Sequence, residues 1–322
     1  MKPLLLSKRA ARRDPDWSEI FLNHAQAVAC SFAESVANGH SIIQINMLAS
    51  PKEADSLKMY ALAAAESRRA AGGGPEPSGQ IEQQIVALRA AYLKADQPWR
   101  TRSAFSNRNI CKDRLPLNAL PTAGAALCDA LLLRALSILD EQIDENLLRD
   151  LFGDCLVDAS SCRYNPRLRF ASGEPAINVY SSGGAFRPHE DKEALTVLVP
   201  LSNASDFDGG GTAFWSTSHA DPGGLVSVND GPVQEPTLVL RPSAGTAIIF
   251  GGDVTHAGQV CTGGKRCIFV ASFSPKTYEH LVAALDRQAA QPDASSVKPL
   301  HAQPASATTA SHKRMAEILG GR

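Results

Sequence analysis

The sequence predicts an α+β fold in which an antiparallel sandwich or small barrel carries a layer of helices over one outer sheet face. Three observations predict it. In the first half, apolar residues recur at three- and four-residue spacing with few β-branched interruptions, the period of an amphipathic helix. From about Cys155 the texture changes to short β-rich runs separated by clusters of Gly, Asp, Ser and Pro. No helical stretch interrupts those runs, which argues against a strand-helix-strand alternation and for antiparallel pairing.

Helical spacing is read over 17–38, 51–69, 80–95, 123–138 and 145–152. Asp16 and Ser50 stand where N-caps would, and Gly72-Gly73-Gly74-Pro75 breaks the second helix and opens a polar loop. Strands are expected over 176–180, 195–201, 212–215, 237–241, 246–250 and 267–273. A last helix is read near 278–287, and residues 288–311 are rich in Ala, Gln, Pro, Ser and Thr and lack aromatics, so the tail is expected to be disordered. The expected organisation is a helical region over 1–155 that supports the sheets, a sheet-rich core with its helix over 156–287, and a tail over 288–322.

With 322 residues, 44% of them hydrophobic, the chain is long enough to bury a sizeable core. Thirty-two Lys and Arg balance thirty-three Asp and Glu, so no global basic field draws it to nucleic acid or acidic lipid. The apolar runs fall short of the roughly 20 residues of a membrane helix, and neither a nucleic-acid nor a membrane partner is expected. Lys2, Lys8, Arg9, Arg12 and Arg13 surround Leu4-Leu5-Leu6, too short an apolar region for secretion; a solvated terminus is favoured over an organellar presequence. The seven cysteines are odd in number and contain no C-x-x-C pair, which fits a reducing compartment such as the cytoplasm and no zinc knuckle.

Chemistry concentrates in Arg187-Pro188-His189-Glu190-Asp191. His189 and Asp191 are two apart, so in extended backbone both leave one face and can share a metal. His256 follows just beyond the expected strand 246–250, in Gly251-Gly252-Asp253-Val254-Thr255-His256. Two imidazoles and one carboxylate form the facial triad that leaves three positions open on Fe(II). Arg266 heads the last strand, and a guanidinium fork there suits bidentate capture of a carboxylate. Lys265 is its rival, but parity places Arg266 with Ile268 and Val270 and puts Lys265 with Cys267 and Phe269. Singly each signal is common by chance; the order H-x-D, strands with a Gly-rich turn, His, then Arg is specific.

This constellation resembles the 2-oxoglutarate and Fe(II)-dependent dioxygenases, most closely their prolyl 4-hydroxylase-like branch, over roughly residues 160–275. The matching residues are Tyr180-Ser181-Ser182-Gly183-Gly184 leading into Pro188-His189-Glu190-Asp191, then Asp208-Gly209-Gly210-Gly211-Thr212-Ala213-Phe214, Thr255-His256-Ala257-Gly258 and Gly264-Lys265-Arg266. The resemblance implies a double-stranded β-helix, a distorted jelly roll of eight strands with the metal at one open end. It makes His189, Asp191 and His256 the iron ligands and Arg266 the partner of the distal carboxylate of 2-oxoglutarate. It also implies O2 as oxidant, L-ascorbate as reductant, and hydroxylation of a C–H bond of an amino-acid-like substrate, peptidyl proline or a small metabolite. Tyr180 is either a co-substrate contact, as in relatives, or a core aromatic at the barrel end.

Other residues read as structural. His219 belongs to a loop, Gly209 to Gly211 form a strand-connecting turn and no phosphate loop, and Cys261 and Cys267 are small buried hydrophobes. The segment 216–235, rich in Gly, Pro, Ser and Asp, is either a substrate lid or an ordinary surface loop. The alternative to an enzyme is a catalytically silent jelly-roll binding or scaffold protein; a cupin with another reaction is disfavoured, because cupins supply more histidines and need no such arginine.

Overall fold

The structure, a computed structural model, describes residues 16–71, 112–156, 165, 167–216 and 235–276. The expected helices at 80–95 and 278–287, the tail 288–322, the basic residues 1–13, His219, Cys111, Cys162 and all but the ends of 216–235 lie outside the described residues. In chain order the first half gives β1 (Trp17–Phe21), α1 (His24–Ala27), α2 (Phe32–Ala37), β2 (Ser41–Ile45), α3 (Pro51–Ala70), β3 (Lys112–Pro116), α4 (Thr122–Ile138) and α5 (Leu147–Phe152). Strands then dominate: β4 (Leu168–Phe170), β5 (Ala176–Tyr180), β6 (Phe186–His189), β7 (Leu195–Pro200), β8 (Phe207–Gly209) and β9 (Thr212–Phe214). They continue with β10 (Leu238–Leu240), β11 (Ala247–Phe250), β12 (His256–Gly258), β13 (Cys261–Gly264) and β14 (Arg266–Pro275).

All pairings are antiparallel. The large sheet runs β1-β2-β11-β7-β14-β5-β3, with β4 also on β14; a four-stranded sheet runs β10-β9-β12-β6, and β13 pairs with β8. Alternation along the strands of the large sheet splits the core in two. One face sends Ile43, Val179, Val197, Ile249 and Phe269 against the helices, whereas the other sends Ile42, Tyr180, Leu198, Ile248 and Ile268 toward Phe214 of the smaller sheet.

The helices form for local reasons and stay for packing reasons. Ser50 caps α3 in a reciprocal box with Glu53, Pro51 occupies the first turn, and Ala54, Leu57, Ala61 and Ala65 bury one stripe on the sheet. Leu57 and Leu131, the latter on α4, are fully buried, each contributing roughly 2 kcal/mol of apolar burial. The stretch Thr122–Ile143 is long and apolar enough by composition to cross a membrane, which corrects the expectation that nothing approaches that length; half of it is buried, as in a core helix.

The reading of 17–38 as one helix is overturned. Trp17, Ile20 and Phe21 mimic helical spacing, but β1 is buried on both faces, so it shows no period of two. Asp16 therefore caps nothing; its backbone oxygen accepts from Asn46 N at 2.8 Å, and the caps belong to Asn23 for α1 and Ser31 for α2. The described residues of the first 155 thus add three strands, β1, β2 and β3, to the large sheet besides its helical cover.

Candidate active site

Two neighbouring strands of the smaller sheet carry the histidines. His189 ends β6 and His256 begins β12, and the two are directly opposite in the antiparallel register with ring centroids 4.3 Å apart. Asp191, two residues past His189, returns to the same face. The turn before β12 fixes the spacing: a Cβ on Gly252 would lie 1.7 Å from the Glu193 carbonyl oxygen, so only glycine lets this backbone close on the segment after Asp191. Lys192 N seals the contact by donating to Gly252 O at 3.1 Å.

The three groups converge, with one ligand atom from each of His189, Asp191 and His256 within 4.8 Å of the others. Asp191 Oδ1 is 3.3 Å from His189 Nε2, and Oδ2 is 3.6 Å from His256 Nε2. His256 Nδ1 lies 3.0 Å from Val254 O, which fixes the N–H there and leaves the Nε2 lone pair facing the carboxylate. Burial, and then the neighbouring His189, push the His256 imidazole down to about 4, so at neutral pH it is uncharged and able to ligate. Burial acts to raise Asp191, but His256, His189 and the Thr196 hydroxyl outweigh it and hold the carboxyl well below the usual carboxylate range. An ionised carboxylate with two imidazole nitrogens fits Fe(II) and leaves half of an octahedron open.

Arg266 shares the cavity with the triad, opposite Tyr180 across β14 and β5. It is 4% exposed, its Nη2 donates to Thr212 Oγ1 at 2.9 Å, and its Cζ sits 5.3 Å from the Tyr180 ring centre. Among the described residues no carboxylate pairs with it. A buried guanidinium left in that state is costly unless an anion arrives. Lys265 is 41% exposed and reaches Glu66 on the helical side, as parity requires, while Ile268 and Val270 join Arg266 in lining the cavity. The cavity spans about 420 Å³ of space between its walls, part of it open to solvent.

Tyr180 belongs to the inner core and also lines the cavity, and its hydroxyl approaches β12, since a Cβ on Gly258 would be 3.3 Å from Tyr180 Oη. Sequence reasoning missed Thr196, Ser272, Thr212, Arg114, Glu174 and Asn178, which also border the site. For Thr196, Asn178 and Ser272 the signal is a polar side chain on a mostly apolar strand, as in Leu195-Thr196-Val197-Leu198; Arg114 and Glu174 carry no such signal. Arg114 and Glu174 pair with each other on the cavity wall.

No family model matches the sequence, and no curated protein matches it. Solved structures to which the chain bears a likeness include a prolyl-4-hydroxylase from Pseudomonas putida, 14% identical over 78% of this chain and 100% of that one, with a TM-score of 0.39. HygX from Streptomyces hygroscopicus, with nickel and 2-oxoglutarate bound, is 14% identical over 77% and 86% at 0.37. The viral collagen prolyl hydroxylase vCPH from Paramecium Bursaria Chlorella virus-1 is 13% identical over 75% and 93% at 0.37. At these identities and scores each is a distant likeness, and what the cavity can hold is set by the side chains described above.

Proposed function

We propose that the protein is an Fe(II)- and 2-oxoglutarate-dependent dioxygenase that hydroxylates a C–H bond of an amino-acid-like substrate, peptidyl proline or a small metabolite. The observation that carries the reading is a buried arginine without a carboxylate partner among the described residues, in one cavity with a convergent His-Asp-His set. His189, Asp191 and His256 would hold the metal, and Arg266 with Thr212 the distal carboxylate of the keto acid. Bound together, the metal and keto acid supply the oxidative chemistry, in which dioxygen is consumed, 2-oxoglutarate becomes succinate and CO2, and the substrate gains a hydroxyl. The chain itself orients: the β14 and β5 pair fixes the carboxylate end, β6 and β12 fix the ligand end, and Phe186, Leu198, Ile268 and Val270 limit water between them.

The strand order supports a double-stranded β-helix as the frame. Four strands of the large sheet, in the order β11-β7-β14-β5, pack against β10-β9-β12-β6 with the triad at one end. Ascorbate as reductant belongs to the same proposal. The test needs no substrate: purified apoprotein is titrated anaerobically with Fe(II) and 2-oxoglutarate while the visible charge-transfer absorption of a chelated keto acid is followed. A saturable band is expected. A folded protein that gives none would overturn the proposal and favour the silent scaffold.

A further inference from the structure

Two side chains that do not line the cavity converge on Asp191. Thr196 Oγ1 donates to Asp191 Oδ2 at 2.6 Å, and Ser272 Oγ donates to the same oxygen at 3.2 Å. Thr196 on β7 and Ser272 on β14 are direct register partners, and both are fully buried. Leu198, Ile268 and Val270 are apolar neighbours on the same face of these strands, with Arg266 at the far end of β14. A hydroxyl placed there needs a buried acceptor, and Asp191 is the acceptor both have. The Ser272 backbone is tied at the same point, because its N–H donates to the Glu174 carboxylate.

We propose that Thr196 and Ser272 are positioning residues that hold Asp191 by one oxygen, so that the carboxylate meets the metal through the other alone. The inference rests on the metal reading given above. Two donors on Oδ2 occupy the lone pairs of that oxygen and leave Oδ1, the oxygen nearer His189 Nε2, free to ligate. The chemical consequence is an open position. A carboxylate free to rotate can take a metal with both oxygens, and would then fill one of the three sites that a chelating keto acid and dioxygen require. The rigid β7 and β14 pair therefore sets the coordination number through side chains that never touch the ion.

The test uses Co(II) alone with full-length protein, so it does not depend on turnover. The double variant Thr196→Val, Ser272→Ala is expected to bind Co(II) about 10- to 100-fold more weakly, the usual effect of losing such hydrogen bonds, and to show an altered d–d spectrum. Thr196→Ser, which keeps a hydroxyl, is expected to bind within about threefold of wild type. A double variant with wild-type affinity and spectrum overturns the proposal while leaving the metal site intact. Should the double variant fail to fold, Ser272→Ala alone decides: a loss of about three- to tenfold supports the clamp, and none overturns it. Wild-type protein that binds no Co(II) removes the metal reading and this inference together.

Discussion

Replacing Arg266 by methionine should make the free protein more stable and the co-substrate weaker, two effects of opposite sign from one side chain. Arg266 is 4% exposed, with one hydroxyl and one aromatic ring as its partners among the described residues. Burial therefore pushes its guanidinium below the usual arginine value. A buried charge exchanged for a well-packed apolar side chain of similar length is often neutral or stabilising by about 1–4 kcal/mol. Thr212 and Tyr180 already compensate part of that, so a gain near 1 kcal/mol is expected, or roughly 2–4 °C in Tm for a domain of this size. Against 2-oxoglutarate the variant loses a buried, hydrogen-bonded charge pair, worth about 2–5 kcal/mol, or on the order of 30- to 5,000-fold in affinity. The assay is thermal melting with and without 2-oxoglutarate and Co(II), together with the anaerobic titration. Wild type should melt higher with the keto acid and the variant should not respond. A variant that is several degrees less stable yet takes up 2-oxoglutarate normally would refute the reasoning, because Arg266 would then be a structural cation.

His189→Ala and Asp191→Ala should each abolish succinate formation and weaken Co(II) binding severely; turnover retained in both would sink the triad. The apoprotein should lose stability as pH falls from about 6.5 to about 4, because His256 has a depressed imidazole value in the fold and the unfolded chain binds the extra proton in that window. Its neighbours His189, Asp191 and Glu190 share the site, and denaturant midpoints at pH 7, 5.5 and 4.5 check the trend, with a flat series counting against it. Gly252→Ala should destabilise by several kcal/mol and release metal, because its new methyl would sit 1.7 Å from the Glu193 carbonyl; wild-type melting would show that the turn can move.

Much of the site was legible because it is written in short spacings. His189 and Asp191 share a face by parity, and parity also separated Arg266 from Lys265, which the strand places on opposite sides. The large sheet was legible only where its strands run apolar and end in turn residues, as at 195–201 and 246–250. Strands of three or four residues, such as β12 at His256–Gly258 and β13 at Cys261–Gly264, hold too few side chains to show a period. β1 and β2 were missed for a different reason: burial on both faces removes the alternation that marks a strand. Thr196 and Ser272 looked like ordinary β-formers, since nothing local says that their hydroxyls share one acceptor.

The residue pairs of the proposed site are also cross-strand partners: His189 with His256, Tyr180 with Arg266, and Thr196 with Ser272. A slip of one residue in any of these pairings would turn a ligand or its support to the opposite side of the sheet. On the proposed metal reading, metal uptake would report on strand registration more sensitively than overall secondary structure does. In refolding, a chain with native circular dichroism but no affinity for Co(II) would be a mispaired species, and the ion would act as a selective trap for the correctly threaded sandwich.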